Sequence, residues 1–172
     1  MKKIILYTLL GTLVLLLGFS AYQEATKTGA ATKRLPCHQG VTVFERVHDA
    51  KALASIATQT RTLSASLHLS PASYKTSTLF TLVPKTTIEA SVEEVFGASL
   101  TTRLPLHVEI TVVENDTLDP GKKNPDAKSF LGYIHAKFYS QETLIYQVQV
   151  DFLNHEAIPR TLACIRDSFM SL

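Results

Sequence analysis

Leu104-Pro105-Leu106-His107-Val108-Glu109-Ile110-Thr111-Val112 alternates without a break. Apolar side chains stand at 104, 106, 108, 110 and 112, and His107, Glu109 and Thr111 fall between them. A period of two is the signature of a strand with one dry and one wet face, so this run predicts a sheet whose other side meets packed elements. Two downstream runs repeat it. Phe130, Ile134, Ala136 and Phe138 alternate in one, and Leu144, Tyr146, Val148, Val150 and Phe152 in the next, joined by a tight turn near Ser140-Gln141-Glu142. Clean alternation of this kind is typical of antiparallel sheets with one solvated face.

Working outward, Tyr74, Thr76, Thr78, Phe80 and Leu82 also alternate, and they predict a further strand whose unpaired side, at Tyr74, Thr76 and Thr78, is a candidate partner edge. Ile88, Ala90 and Val92 fit either a weak strand or a short helix over 91–97. Val41–Phe44 is short and β-prone. Asp49 stands where a helix N-cap belongs, and Leu53, Ile56, Thr60, Leu63 and Leu67 then recur at 3-4-3-4 spacing, which predicts one long helix ended by Ser70-Pro71. At the far end Ile158, Leu162, Ile165, Phe169 and Leu172 form the apolar stripe of a last helix opened by Asn154 and Pro159.

The fold class expected is therefore α+β: an N-terminal signal or anchor helix, one long helix, a four- to five-stranded antiparallel sheet and a C-terminal helix on one sheet face. A long helix followed by a meander resembles the cystatin-like and NTF2-like folds in outline, and no diagnostic residue assigns the chain to either.

Met1-Lys2-Lys3 precedes an apolar run from Ile4 to Tyr22. Positive charge ahead of such a run keeps that end in the cytoplasm while the apolar stretch enters the membrane, so the remainder is expected on the far side. The run lies between the length of a signal core and that of a spanning helix. Gly18-Phe19-Ser20 before Ala21 is the best cleavage candidate. The location expected is the inner membrane, single-pass with the C-terminal domain in the periplasm, or the periplasm itself if the segment is cut. Residues 1–22 form the signal or anchor, 23–40 a stalk of small polar residues, and 41–172 the exported domain.

The chain has 172 residues and a net charge of +2. Lys2 and Lys3 supply that excess, and the body beyond residue 22 is neutral. With no basic stripe, nucleic-acid binding is not expected.

Two cysteines, Cys37 and Cys164, lie in the exported part. An even count in an oxidising compartment points to one disulfide, and Cys164 sits well outside the apolar stripe of its helix, so it is more than a small core residue. Cys37-His38 is half of a covalent haem motif, with arginine at position 34 where the first cysteine would stand. His107 and Glu109 share a strand face, and His135 stands on the outward face of another strand. In register, His107 and His135 would approach, and the three residues form a candidate polar surface site. Zinc would need a third and usually a fourth ligand beside His107 and His135, and no His-x3-His or Cys-x2-Cys spacing supplies one.

No nucleophile elbow, phosphate loop or dinucleotide fingerprint occurs. Lys122 and Lys123 read as solvation of a turn. No cofactor is implied. The role expected is non-enzymatic: an envelope domain serving as an accessory or protein-interaction subunit of a membrane complex. The alternative is a periplasmic binder of a lipid or other hydrophobic molecule in a pocket walled by inward aromatic residues.

Overall fold

A computed structural model describes residues 30–57, 63–121 and 129–172. The anchor segment 1–22, residues 23–29 of the expected stalk, residues 58–62 and the Lys122-Lys123 pair lie outside the described residues, whereas the rest of the expected stalk carries a short strand at Ala30–Ala31 and a turn at Pro36–His38 and belongs to the fold. Among the described residues no helix is long and apolar enough to cross a membrane.

In chain order the strands are β1 (Ala30–Ala31), β2 (Val43–Val47), β3 (Ser64–Ser70), β4 (Leu106–Glu114), β5 (Gly132–Ser140) and β6 (Thr143–Phe152). The helices are α1 (Ala50–Ala57), α2 (Leu79–Leu82), α3 (Lys85–Phe96) and α4 (Ile158–Met170). The strands form one sheet in the order β1-β2-β6-β5-β4-β3.

The three alternating runs fold as their period dictates. Val108, Ile110 and Val112 of β4, Ile134, Ala136 and Phe138 of β5, and Tyr146 and Val148 of β6 are fully buried on one face. β5 and β6 are joined by a two-residue turn after Ser140 pairs with Thr143, and Gln141 takes the positive φ such a turn requires. Gly132 opens β5 where the sheet is tightest. A Cβ there would lie 2.2 Å from the Val113 carbonyl oxygen and 2.7 Å from the Phe152 ring, so no side chain fits.

α4 follows its stripe. Ile158, Leu162, Ile165 and Phe169 are buried, whereas Leu172 is exposed. The Asn154 side chain accepts the Ala157 amide hydrogen at 3.0 Å and starts the turn into it. Phe169 stacks on Phe138 at 4.1 Å, and Phe96 of α3 and Tyr146 close around the pair. α3 and α4 therefore cover one sheet face, and the inward aromatic residues pack on one another.

The region between 49 and 100 departs from expectation. Asp49 does cap α1, accepting from the Lys51 and Ala52 amides at 3.0 and 2.9 Å. The long helix fails beyond it, because Ser64–Ser70 is β3. That segment satisfies two periods at once. Leu63 and Leu67 suit a helix, but Ala65, Leu67 and Leu69 suit a strand, and they sit opposite Val108, Ile110 and Val112 of β4. Cross-strand burial against the driest strand of the sheet decides between them.

β3 runs parallel to β4, so the sheet is mixed and not antiparallel as expected. A parallel neighbour needs a crossover, and α3 supplies it, with Ile88, Val92 and Phe96 buried and Gly97 closing the helix in the left-handed region. The strand expected over 74–82 does not form. Tyr74, Thr76 and Thr78 lie in a loop ahead of α2, so they are not a partner edge.

Candidate functional site

Two carboxylates hold that loop. Glu114, buried at the end of β4, accepts from the Ser77 hydroxyl at 2.6 Å, from the Thr78 and Leu79 amides at 3.0 and 3.2 Å, and from the Ala72 amide at 3.4 Å. Lys75 Nζ stands 3.6 Å away. Burial by itself raises the Glu114 pKa, but these hydrogen bonds outweigh it and bring it down to about 2. Asp116 accepts from the Ser73, Tyr74 and Leu118 amides. Neither residue carried a sequence signal, since a buried carboxylate is recognised only by the donors gathered round it.

The face turned away from α3 and α4 carries the expected polar residues, and the register sorts them. His107 lies opposite Tyr139 across β5, and opposite Ser64 across β3. His135 lies opposite Thr111 and Gln149, so the expected approach of His107 to His135 does not occur. His135 Nε2 is buried with no hydrogen-bond partner among the described residues. Burial, with Lys137 beside it, lowers the His135 pKa.

His107 and Glu109 do share a groove. It holds about 490 Å³ along the start of β3, bordered by Ser66, His68, His107, Glu109, Tyr139 and the 100–103 loop. Ser64 Oγ accepts the Leu104 amide hydrogen at 2.8 Å and lies 2.9 Å from His107 Nδ1. Nε2 of the same ring lies 3.1 Å from Ser66 Oγ, so both ring nitrogens meet a serine hydroxyl. Burial lowers the His107 pKa, and Arg103 adds to this, so the ring is neutral near pH 7. Tyr139 donates to Glu109 Oε2 at 3.2 Å, and His68 Nε2 stands 3.8 Å from Oε1. Burial, then Glu109, raises the Tyr139 pKa. One imidazole thus stands between two serine hydroxyls, with the Tyr139–Glu109 pair along the same groove.

Ser64, Ser66 and His68 escaped the sequence reading because they were placed on a helix. The alternation of Ala65, Leu67 and Leu69 was the signal available.

The groove also marks a sheet edge. The Ala65 amide turns away from β4 and donates to Ser99 O at 3.1 Å. By strand period the amides of Leu67 and Leu69 point the same way, and among the described residues no hydrogen bond meets them.

At the opposite side of the molecule Cys37 and Cys164 lie at disulfide distance, with Cα atoms 5.7 Å apart. Cys37 is exposed and Cys164 buried. Beside them Arg34 grips Glu45 through Nη2 at 2.8 Å and Nε at 3.2 Å, and donates to the Ser168 carbonyl at 2.6 Å. The Tyr146 hydroxyl donates to Glu45 Oε1 at 2.7 Å. Burial raises the Glu45 pKa, but hydrogen bonds from Arg34 and Tyr146 outweigh it and hold the carboxyl below its usual range. Fully buried His38 contacts Ser168 Oγ at 2.8 Å. Cys37, Cys164 and His38 bring their sulfur and nitrogen atoms within 4.8 Å of one another.

No protein-family model, curated protein or solved structure matches this chain.

Proposed function

We propose that the chain is an exported, non-enzymatic interaction domain. It is held at or released from the inner membrane by residues 1–22, and it receives an extended segment of an envelope protein along β3. The free amides of Leu67 and Leu69 on an edge strand carry this reading, because such an edge is a template for strand addition. The adjoining groove of Ser66, His68, His107 and Glu109 gives side chains of the added strand a polar slot. The partner edge thus moves from Tyr74, Thr76 and Thr78 to Ser66–Ser70, and the polar site contracts from three residues to His107 and Glu109.

The hydrophobic-ligand alternative has less support. The apolar groove between Leu82, Val83, Ile88, Ile158 and Pro159 holds about 270 Å³, below the roughly 300–1,000 Å³ usual for ligand sites.

The test is cross-linking of the tagged full-length protein in native membranes, followed by mass spectrometry. Wild type is compared with Leu67→Pro, which removes an outward amide, and with Ser66→Lys, which charges the edge. A reproducible envelope partner lost in both variants, with far-UV circular dichroism unchanged, is the result expected. Equal capture by the folded variants overturns the reading.

A further inference from the structure

We propose that the reduced, dithiol form of this domain is a Cu(I) site built from Cys37, Cys164 and His38. The inference is independent of the β3 edge.

The three ligands come from two segments that the fold brings together: the turn at 36–38 and the middle of α4. Their donor atoms already lie within 4.8 Å of one another, a separation that small side-chain movements bring onto one ion. The hydrogen bonds of His38 set its tautomer. Ser168 Oγ lies 2.8 Å from Nε2, and the Leu35 amide donates to Nδ1 at 3.4 Å. An acceptor at Nδ1 leaves the proton on Nε2, which then donates to Ser168. In this tautomer Nδ1 is the nitrogen with a lone pair, and a metal bound there would take the place of the Leu35 amide. A metal-binding imidazole usually has its other nitrogen anchored in this way, and Ser168 is such an anchor.

His38 is fully buried among these partners. Glu45 Oε1 is 4.0 Å away, but on the Nε2 side, and its carboxylate is committed to Arg34 and Tyr146. Among the described residues the set stays at three. Two thiolates and one imidazole suit three-coordinate Cu(I), whereas Zn(II) prefers four ligands.

Entry is from the Cys37 side. An external dithiol reductant attacks exposed Cys37 Sγ as a thiolate and Cys164 leaves as a thiolate. The reductant's second thiolate then releases Cys37, so the reductant becomes a disulfide while two electrons and two protons pass to the cysteines. Cu(I) binding displaces the thiol protons. In the disulfide form both sulfurs are committed and the site is closed.

The experiment uses the purified protein under anaerobic conditions. It is either left oxidised or reduced with a phosphine and freed of excess reagent, then titrated with Cu(I) against bathocuproine disulfonate. The dithiol form is expected to take one equivalent and the disulfide form none. His38→Gln, which leaves both cysteines, is expected to weaken binding by more than about tenfold. Copper-edge absorption is expected to show two sulfur neighbours and one nitrogen. If reduction unfolds the domain, Cu(I) is expected to restore its far-UV circular dichroism, and failure to restore it overturns the proposal. So does a folded dithiol form that takes no Cu(I), or a His38→Gln variant that binds as tightly as wild type.

Discussion

The two sides of the sheet are finished in opposite ways. At β2, the chain arriving from the stalk is fastened to α4 by the Cys37–Cys164 pair, by Arg34 reaching Glu45 and the Ser168 carbonyl, and by His38 on Ser168. At β3, one hydrogen bond from Ala65 to Ser99 is followed by the outward amides of Leu67 and Leu69, which no hydrogen bond meets among the described residues, and by exposed His68. Edge strands are normally covered, charged or bent away to prevent pairing. One side carries a cysteine pair at disulfide distance and a partly exposed ion pair, and the other leaves the outward amides of Leu67 and Leu69 without a hydrogen bond among the described residues. β1, which begins at Ala30, and β3 lie at opposite ends of the strand order.

That contrast breaks most visibly at the cysteines. They close a loop with a sequence separation of 127, for which the chain-entropy model gives about 5 kcal/mol. Cys37→Ser is expected to lower unfolding stability by that order in denaturant titration under oxidising conditions, and unchanged stability would show that the latch does not constrain the unfolded chain.

Next comes Glu114, which organises the loop leaving β3. Its carboxyl is lowered to about 2 in the folded state and lies near 4.3 when unfolded. The stabilisation, about 3 kcal/mol, is fully present above the unfolded pKa and is lost as pH falls through the folded one. Glu114→Gln is therefore expected to cost about that much at pH 7 and close to nothing near pH 2. A stability deficit that persists at low pH would place the effect in packing and not in charge.

Gly132→Ala tests the sheet between the two sides. The Val113 carbonyl and the Phe152 ring leave no room, so about 1–3 kcal/mol is expected from overpacking. Tyr146→Phe removes one donor to Glu45 at the latch and is expected to cost about 1 kcal/mol. His68→Ala, on the open edge, is expected to change stability by less than about 0.5 kcal/mol. If His68→Ala destabilises as much as Tyr146→Phe, the β3 side is not the bare end described.

Sequence reading succeeded where one period dominated. β4, β5, β6 and α4 follow alternation or a 3.6-residue stripe, and Cys164, off that stripe, stands at disulfide distance from Cys37. It failed over 64–70 and 74–82. Ala65, Leu67 and Leu69 share their segment with a helical spacing, and Tyr74–Leu82 alternates in a loop whose shape comes from Glu114 and Asp116, some forty residues away. The candidate site was half legible. His107 and Glu109 stood on one face of an unmistakable strand, while Ser64, Ser66 and His68 became visible only when β3 paired beside them.

By itself the sequence determined which segments have a wet and a dry face, and that an apolar run with two leading lysines precedes a neutral body. Local side-chain periodicity and net charge are properties of the chain alone. Strand order, the parallel placing of β3, the separation of His135 from His107 and the gathering of Cys37, His38 and Cys164 were decided by tertiary structure. Each depends on which distant residue supplies the partner for burial or for a hydrogen bond, and no local pattern encodes that.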